Sequence, residues 1–261
     1  MFKFCSLYSG SSGNSSLIQT KNTKILVDAG VSSKKIIDGL HSLNIEPTQI
    51  DAIIVTHEHS DHTNGISIFS KKYNIPVYAN IETWNAMPNV KEKVDNDNIK
   101  YFDFKEFNIK DLKIQPFSIP HDAANPCGFN IFYNNKKISI ATDIGHITTE
   151  ILDKLSNSSF LLLESNYDLN TLKCSKYPYP LKRRIYGQNG HLSNDDAGKT
   201  ISYLSSHGLN TVMLGHLSKE NNFPELAYKT VVDQLIEDNV ENNINLSVAN
   251  RNYISPVIDI C

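Results

Sequence analysis

The sequence predicts an α/β protein forming a single domain over residues 1–261, and three observations carry that reading. Short apolar runs of strand length alternate with helical patterns from one end to the other. No fixed-period repeat and no Pro- or Gly-rich linker divides the chain. Six apolar runs end on, or within two residues of, a His, Asp or Glu. In α/β sheets ligands gather beyond the carboxyl ends of strands, so this pattern can bring six distant segments to one rim.

Taken in order, the strand-like runs are residues 2–7, 16–19, 24–27, 52–55, 77–79, 112–119, 129–133, 137–141, 160–163, 211–214 and 244–249. Helical patterns are fewer. Over 193–206, Ser193 can cap the amide of Asp196 and Asp196 can answer it in a capping box, with Ala197, Ile201 and Leu204 following at helical spacing. Over 224–238, Pro224 and Glu225 open a helix whose apolar stripe is Ala227, Val231 and Leu235. The Asn-rich stretches 89–98 and 239–250 read as polar turns.

With 261 residues, 40% of them hydrophobic and 20% charged, the chain can bury a sizeable core, which excludes a disordered, collagenous or disulfide-scaffold protein. Its longest apolar runs, such as residues 160–163, fall far short of the roughly 20 residues of a membrane span. The start, Met1-Phe2-Lys3-Phe4-Cys5-Ser6, lacks a basic region followed by an apolar one, so neither secretion nor membrane anchoring is expected. Cys5, Cys127, Cys174 and Cys261 are scattered and form no CxxC pair, which fits the cytoplasm better than a disulfide framework or a thiolate zinc site. The net charge of -3 counts weakly against a nucleic-acid coat protein.

The six apolar runs with polar ends lead to Asp28, His57, His121, Asp143, Glu164 and His216. The densest segment is Thr56-His57-Glu58-His59-Ser60-Asp61-His62. In an extended chain alternate side chains share a face, so His57, His59 and Asp61 are expected to point one way, with His62 serving a neighbouring position. Imidazole and carboxylate hold zinc, manganese or iron, and four such groups in six residues exceed what one tetrahedral ion takes from one loop. Two metals are expected. The competing reading is a solvated polar loop.

This HxHxDH run, with the later His121, Asp143 and His216, resembles the metallo-β-lactamase superfamily across almost the whole chain. The resemblance implies the αββα four-layer sandwich. It places His57, His59 and His121 on one metal, Asp61, His62 and His216 on the other, and Asp143 between them. Further segments are similar to the WalJ (YycJ) family of bacterial cytoplasmic proteins, which are regarded as 5′ to 3′ DNA exonucleases: Ser9 to Ser16, His121-Asp122-Ala123-Ala124, Glu164-Ser165-Asn166, Gly190 to Asn194 and Leu214 to Asn222. The activity so implied is phosphodiester hydrolysis with two divalent ions, zinc or manganese, and with nucleic acid, in particular DNA ends, as the partner. Two such ions can share a water and lower its pKa towards neutrality.

Asp61 is read as a metal ligand that also orients the nucleophile. His191 is the candidate proton donor to the leaving oxygen, two residues before a helix cap, with Glu164 orienting it, as similar positions do in the tRNA-processing nucleases of the superfamily. A capping or turn histidine and a surface salt bridge are the plainer readings of these two. Asp28 is read as a brace of the metal loop rather than an ion ligand. Asn14, in the small-residue loop 9–16, and Ser218, Lys219 and Asn221, directly after His216, are candidate substrate contacts. His41, His146 and His207 are left as solvent or core histidines.

Class B β-lactamases characteristically have Cys where this chain has Asp143, and flavodiiron proteins have Glu where it has His59, so lactam hydrolysis and oxygen reduction lose ground. Only 20 residues separate Asp143 from Glu164 and 26 separate Glu164 from His191, which leaves no room for an RNA-binding arm or a β-CASP insertion there. Two of the three arginines sit in residues 173–184, where Lys173, Lys176, Lys182, Arg183 and Arg184 occur without an acidic residue and alongside Tyr177, Tyr179 and, just beyond, Tyr186. Basic side chains bind backbone phosphates and aromatic rings stack on unpaired bases, so Lys182, Arg183 and Arg184 are candidate nucleic-acid contacts. A solvated basic loop is the plainer alternative. The runner-up function is a small-molecule hydrolase acting on a cyclic phosphodiester, phosphonate ester, lactone or thioester. A metal-binding regulatory partner without catalysis stands third. Oligomeric state is left open.

Overall fold

Most strands are apolar on both faces, and alternate residues supply two different cores. In the computed structural model, which describes residues 1–260, Phe160 and Leu162 of one strand enter a central core while Leu161 and Leu163 face an outer one. Ile54 and Ile53 divide in the same way on the other side. Among the described residues there are two seven-stranded sheets. The first carries β1 (Phe2–Tyr8), β2 (Ser15–Thr20), β3 (Lys24–Val27), β4 (Ala52–Ile54), β5 (Val77–Ala79) and β6 (Ile99–Tyr101) in order. The second carries β7 (Phe107–Ile109), β8 (Leu112–Ser118), β9 (Cys127–Tyr133), β10 (Lys136–Ala141), β11 (Phe160–Glu164), β12 (Thr211–Gly215) and β13 (Asn245–Val248). The C-terminal β14 (Ile258–Asp259) returns to the edge of β1.

The inner faces meet in one apolar layer, where the Phe4 and Phe160 ring centroids lie 4.4 Å apart. Helices α1 (Ser33–Ser42), α2 (Ser60–Thr63), α3 (Ile66–Tyr73), α4 (Ile81–Ala86) and α5 (Pro88–Lys91) follow strands of the first sheet, and Ile36, Phe69 and Trp84 pack on its outer face. Helices α6 (Thr149–Leu155), α7 (Leu169–Cys174), α8 (Tyr179–Ile185), α9 (Asn194–Ser205) and α10 (Pro224–Glu237) belong to the second half, with Ile151, Ile201 and Val231 covering that sheet. The layers are therefore helix, sheet, sheet, helix, the fold implied by the resemblance. No helix among the described residues is long and apolar enough to cross a membrane.

Strands β3 and β4 run parallel, as do β10, β11 and β12. Strand β8 shares the direction of β10, since both are antiparallel to β9. The six strands ahead of Asp28, His57, His121, Asp143, Glu164 and His216 therefore share one direction within each sheet.

Several elements depart from the sequence reading. Strands β6, β7 and β14 were not expected, being two or three residues long and polar in part. Helices α1, α6 and α7 were also missed, although Ser32, Thr148 and Asp168 cap them through the amides of Lys35, Ile151 and Thr171. At α9 the capping is simpler than expected: Ser193 Oγ accepts from the Asp196 amide, but Asp196 accepts the Ser193 hydroxyl rather than reaching back to its backbone. The largest change concerns the densest motif. It is not an extended run; β4 stops at Ile54, His57 and His59 lie on a loop, and Asp61 and His62 occupy the short α2. Cys5, Cys127 and Cys174 carry no disulfide, and Cys261 lies outside the described residues.

Candidate metal centre

Six chain segments deliver polar side chains to the rim where both sheets end. Three of the residues that turn the chain there have left-handed backbones that non-glycine residues rarely adopt: Asp28 at φ 61°, Asp143 at φ 59° and His216 at φ 54°. Such conformations persist only where the surroundings over-determine them. The loop after β3 also comes so close to α2 that a Cβ on Gly30 would lie 1.6 Å from the Asp61 carbonyl oxygen. The Ala29 and Asn14 amides donate to the His62 and Asp61 carbonyls, fastening that approach.

The assembled groups fall into overlapping sets. His57, His59 and His121 form one, Asp61, His62 and His216 a second, His57, His62 and Asp143 a third, and Asp143, Glu164, His191 and His216 a fourth, with the candidate ligand atoms in each set within 4.8 Å of one another. Asp143 lies between them, with Oδ2 3.2 Å from His62 Nε2 and Oδ1 3.4 Å from His216 Nδ1 and 3.7 Å from His121 Nε2. His57 Nε2 and Asp143 Oδ2 are buried without a hydrogen-bond partner. Native interiors rarely leave such atoms unmet, and a nitrogen lone pair and a carboxylate oxygen are both donors to a metal.

His62, His121 and His216 are each oriented through one ring nitrogen. His62 Nδ1 is 2.7 Å from Asp28 Oδ2, while the other Asp28 oxygen accepts the Thr56 amide at 2.8 Å, so Asp28 touches a ligand and the strand end but no ligand set. His121 Nδ1 faces the Gly190 carbonyl at 2.9 Å, and His216 Nδ1 faces Glu164 Oε1 at 2.7 Å. This is the way metal-binding histidines are commonly aimed. Burial, followed by repulsion from His62, holds His57 well below the ordinary imidazole pKa and keeps it neutral. Burial opposes charge on His216 too, but Asp143, Asp61 and Glu164 outweigh it and push its pKa up to about 10. Four carboxylates thus converge on buried imidazoles, an arrangement that calls for cations. The residues fit divalent metal.

Glu164 is fully buried at the end of β11, which removes the surface-salt-bridge reading. Its Oε1 accepts from His191 Nδ1 at 2.9 Å, and its Oε2 accepts the amides of Ile144 and Leu192 at 2.8 and 3.0 Å. Burial alone would raise its pKa, but the hydrogen bonds and the His191 charge bring it down to about 2. Burial likewise opposes charge on His191, and Glu164 outweighs it, so the His191 pKa is raised. The His191 side chain remains 17% exposed at the rim.

The expected substrate contacts divide sharply. Asn14 is buried, with Oδ1 accepting from the Gly10 amide and Nδ2 3.0 Å from His62 Nε2. Ser218 and Asn221 are also buried and bond to each other, leaving only Lys219 of that trio exposed. The basic stretch is not a loop but α7 and α8. Lys182 Nζ donates to the Lys173 and Ser175 carbonyls, each at 2.7 Å, and closes the end of α7. Arg184 clasps Asp122 with two hydrogen bonds, at 2.5 and 3.1 Å. Arg183 remains exposed, its guanidinium 6.0 Å from the centre of the Tyr179 ring. His41 lies 3.5 Å from Glu46, His207 stacks on Tyr203, and His146 faces the Gln188 carbonyl, all outside the cluster.

Sequence reasoning passed over Thr56, Asp122 and Asn166. The Thr56 hydroxyl joins Asp28 to His57, and the Asn166 side chain donates to the His216 carbonyl. Adjacency to a ligand or to Glu164 was the available signal for all three.

Comparison with known proteins agrees with this geometry. A family model described as the metallo-beta-lactamase superfamily matches residues 8–186. The chain is 38% identical over 250 residues, covering 95% of its length and 93% of the relative's, to the exodeoxyribonuclease WalJ of Streptococcus pneumoniae. It is 35% identical over 238 residues, 90% of this chain and 89% of the relative, to the exodeoxyribonuclease YycJ of Bacillus anthracis. The crystal structure of the metallo-beta-lactamase fold protein YhfI from Bacillus subtilis superposes with a TM-score of 0.70 at 13% identity, covering 98% of this chain and all of that one.

Proposed function

This chain belongs to the metallo-β-lactamase superfamily, and from that membership we propose that it is a metal-dependent exodeoxyribonuclease that degrades DNA from its ends in the 5′ to 3′ direction. The observation that carries the reading is the Glu164–His191 pair, 2.9 Å apart and grouped with Asp143 and His216 at the edge of the cluster, where His191 alone of the four is partly exposed. A purely structural metal site has no use for a partly exposed imidazole held on a buried carboxylate.

His57, His59 and His121 would hold one divalent ion, Asp61, His62 and His216 the other, with Asp143 reaching both. Zinc and manganese both suit these ligands. Such ions supply a lowered water pKa and neutralise charge on phosphate oxygens. The rest falls to the chain's own groups. Asp61, with a quarter of its side chain exposed, orients the attacking water. The phosphorus–oxygen bond to the leaving group breaks, and that oxygen takes its proton from His191. Because His191 Nδ1 donates to Glu164, Nε2 is the nitrogen that presents this proton. Glu164 keeps the imidazolium charged until it is needed. Asp28 holds His62 in register through its hydrogen bond to Nδ1.

The cytoplasm is the proposed compartment, supported by three free cysteines and the lack of any CxxC pair. The test is incubation of metal-loaded protein with end-labelled single- and double-stranded DNA and RNA, beside an Asp61→Ala control. Metal-dependent release of nucleotides from DNA by the wild-type protein alone is expected. Cleavage of small phosphodiesters or thioesters, with every nucleic acid intact, would transfer the site to the small-molecule hydrolases.

A further inference from the structure

The third arginine, Arg251, lies outside the basic stretch and has no carboxylate partner among the described residues. Its Nη2 donates to the Leu217 carbonyl, and its Nη1 is buried with no hydrogen-bond partner at all. Burial lowers its pKa, as for a cation without a counter-charge. The guanidinium fits because residue 10 is a glycine at φ 145°: a Cβ there would lie 2.7 Å from Nη1. The small-residue loop thus approaches a cation.

Arg251 helps to line a cavity of about 210 Å³, together with Ser9, Leu217, Lys219, Phe223 and Pro224. Two cations and no carboxylate face it; Glu220 and Glu225 flank it in sequence without lining it. The 14-residue helix α10 begins at this wall, and Phe223, at its cap position, offers no side-chain hydrogen bond to the free amides of the first turn. Those amides and the helix dipole favour an anion. Ser9 links the cavity wall to the ligand cluster, since its Oγ accepts the His216 amide at 2.8 Å.

We propose that this cavity is an anion subsite that takes a backbone phosphate of the nucleic acid other than the phosphate being cleaved. The inference rests on the nuclease reading above. Arg251 would attract the phosphate by its charge from the cavity wall, Lys219 would add charge from the solvent side, and the exposed Phe223 ring would lie against the neighbouring sugar or base. Engagement there fixes how far the strand extends past the metals, which makes the subsite a determinant of substrate length.

The test compares metal-loaded wild type with Arg251→Met and Arg251→Lys on two substrates: an oligodeoxynucleotide, and bis(p-nitrophenyl) phosphate, whose single phosphate leaves nothing for a second subsite. The ratio of kcat/KM for the oligonucleotide to that for the small ester is expected to drop about 10-fold or more in Arg251→Met, through KM, and to recover in part in Arg251→Lys. Folding and metal content are checked by circular dichroism and mass spectrometry. An unchanged ratio, whether both rates fall together or neither falls, overturns the subsite. Wild-type protein that hydrolyses the small ester but no oligonucleotide overturns the nuclease reading, and the subsite with it.

Discussion

The ligand cluster and the basic stretch from Lys173 to Arg184 both gather charge, and they use it in opposite ways. In the cluster, Asp143 Oδ2 and His57 Nε2 are buried without a hydrogen-bond partner, and the nearest group to Asp143 Oδ2 is the His62 imidazole at 3.2 Å. In the basic stretch, Lys182 is engaged by two carbonyls and Arg184 by Asp122, so only Arg183 of the three stands free. A row of like charges in sequence says little about what they bind until their internal partners are known. Unmet donors inside a fold say a great deal, because leaving them so is costly.

The largest effect that would break this contrast comes from Asp143→Ala. Removing the carboxylate proposed to reach both ions should lower DNA cleavage by about 1,000-fold or more, equivalent to about 4 kcal/mol, and reduce bound metal below two ions per chain. Elemental analysis beside a nuclease assay checks both. His191→Ala should keep both ions yet lose roughly 100- to 10,000-fold in kcat, and near-normal turnover would end its role as proton donor.

Glu164→Gln sharpens the same point through pH. With His191 as the proposed acid, activity is expected to fall as pH rises through its pKa, which Glu164 raises. Replacing that charge lowers the pKa, and the alkaline limb of the kcat profile should move to lower pH. A limb that stays in place assigns the ionisation elsewhere. Asp28→Asn, which disturbs the Oδ2 contacts with His62 and the Thr56 hydroxyl, should weaken metal affinity by about 10- to 100-fold, read by chelator competition.

The smallest effects belong to the basic stretch. Arg183→Gln should reduce the slope of log K against log salt for DNA binding by about 1, whereas Lys182→Gln should leave the slope unchanged. Equal slopes for both variants would mean that α8 does not touch the phosphate backbone.

The sequence made the ligand types and their strand-end positions readable because apolar runs ending on His, Asp or Glu survive any reasonable placement of element boundaries. It did not reveal how the HxHxDH run converges. Periodicity suggested an extended chain, while a close approach to Gly30 and a helical turn at Ser60–Thr63 set the actual geometry. The left-handed backbones of Asp28, Asp143 and His216 were equally hidden, since only tertiary contacts hold them. Short helices such as α1 and α7 announced themselves through Ser32 and Asp168 caps that apolar periodicity overlooks. The fate of Lys182, Arg184 and Arg251 depended on partners far along the chain. The net charge of -3 likewise concealed a buried cluster of carboxylates and imidazoles beside a cavity lined by two cations.

The most direct test of the two-ion centre is a titration of metal-stripped protein with manganese or zinc, counting bound ions per chain while following nucleotide release from end-labelled DNA. Cleavage should be absent without metal and reach its maximum as the second ion binds, and Asp143→Ala should bind fewer than two ions and show no such maximum. Cleavage by the stripped protein, or full activity with the cluster binding no ion, would contradict the assignment of His57, His59, Asp61, His62, His121, Asp143 and His216 as a dinuclear catalytic site.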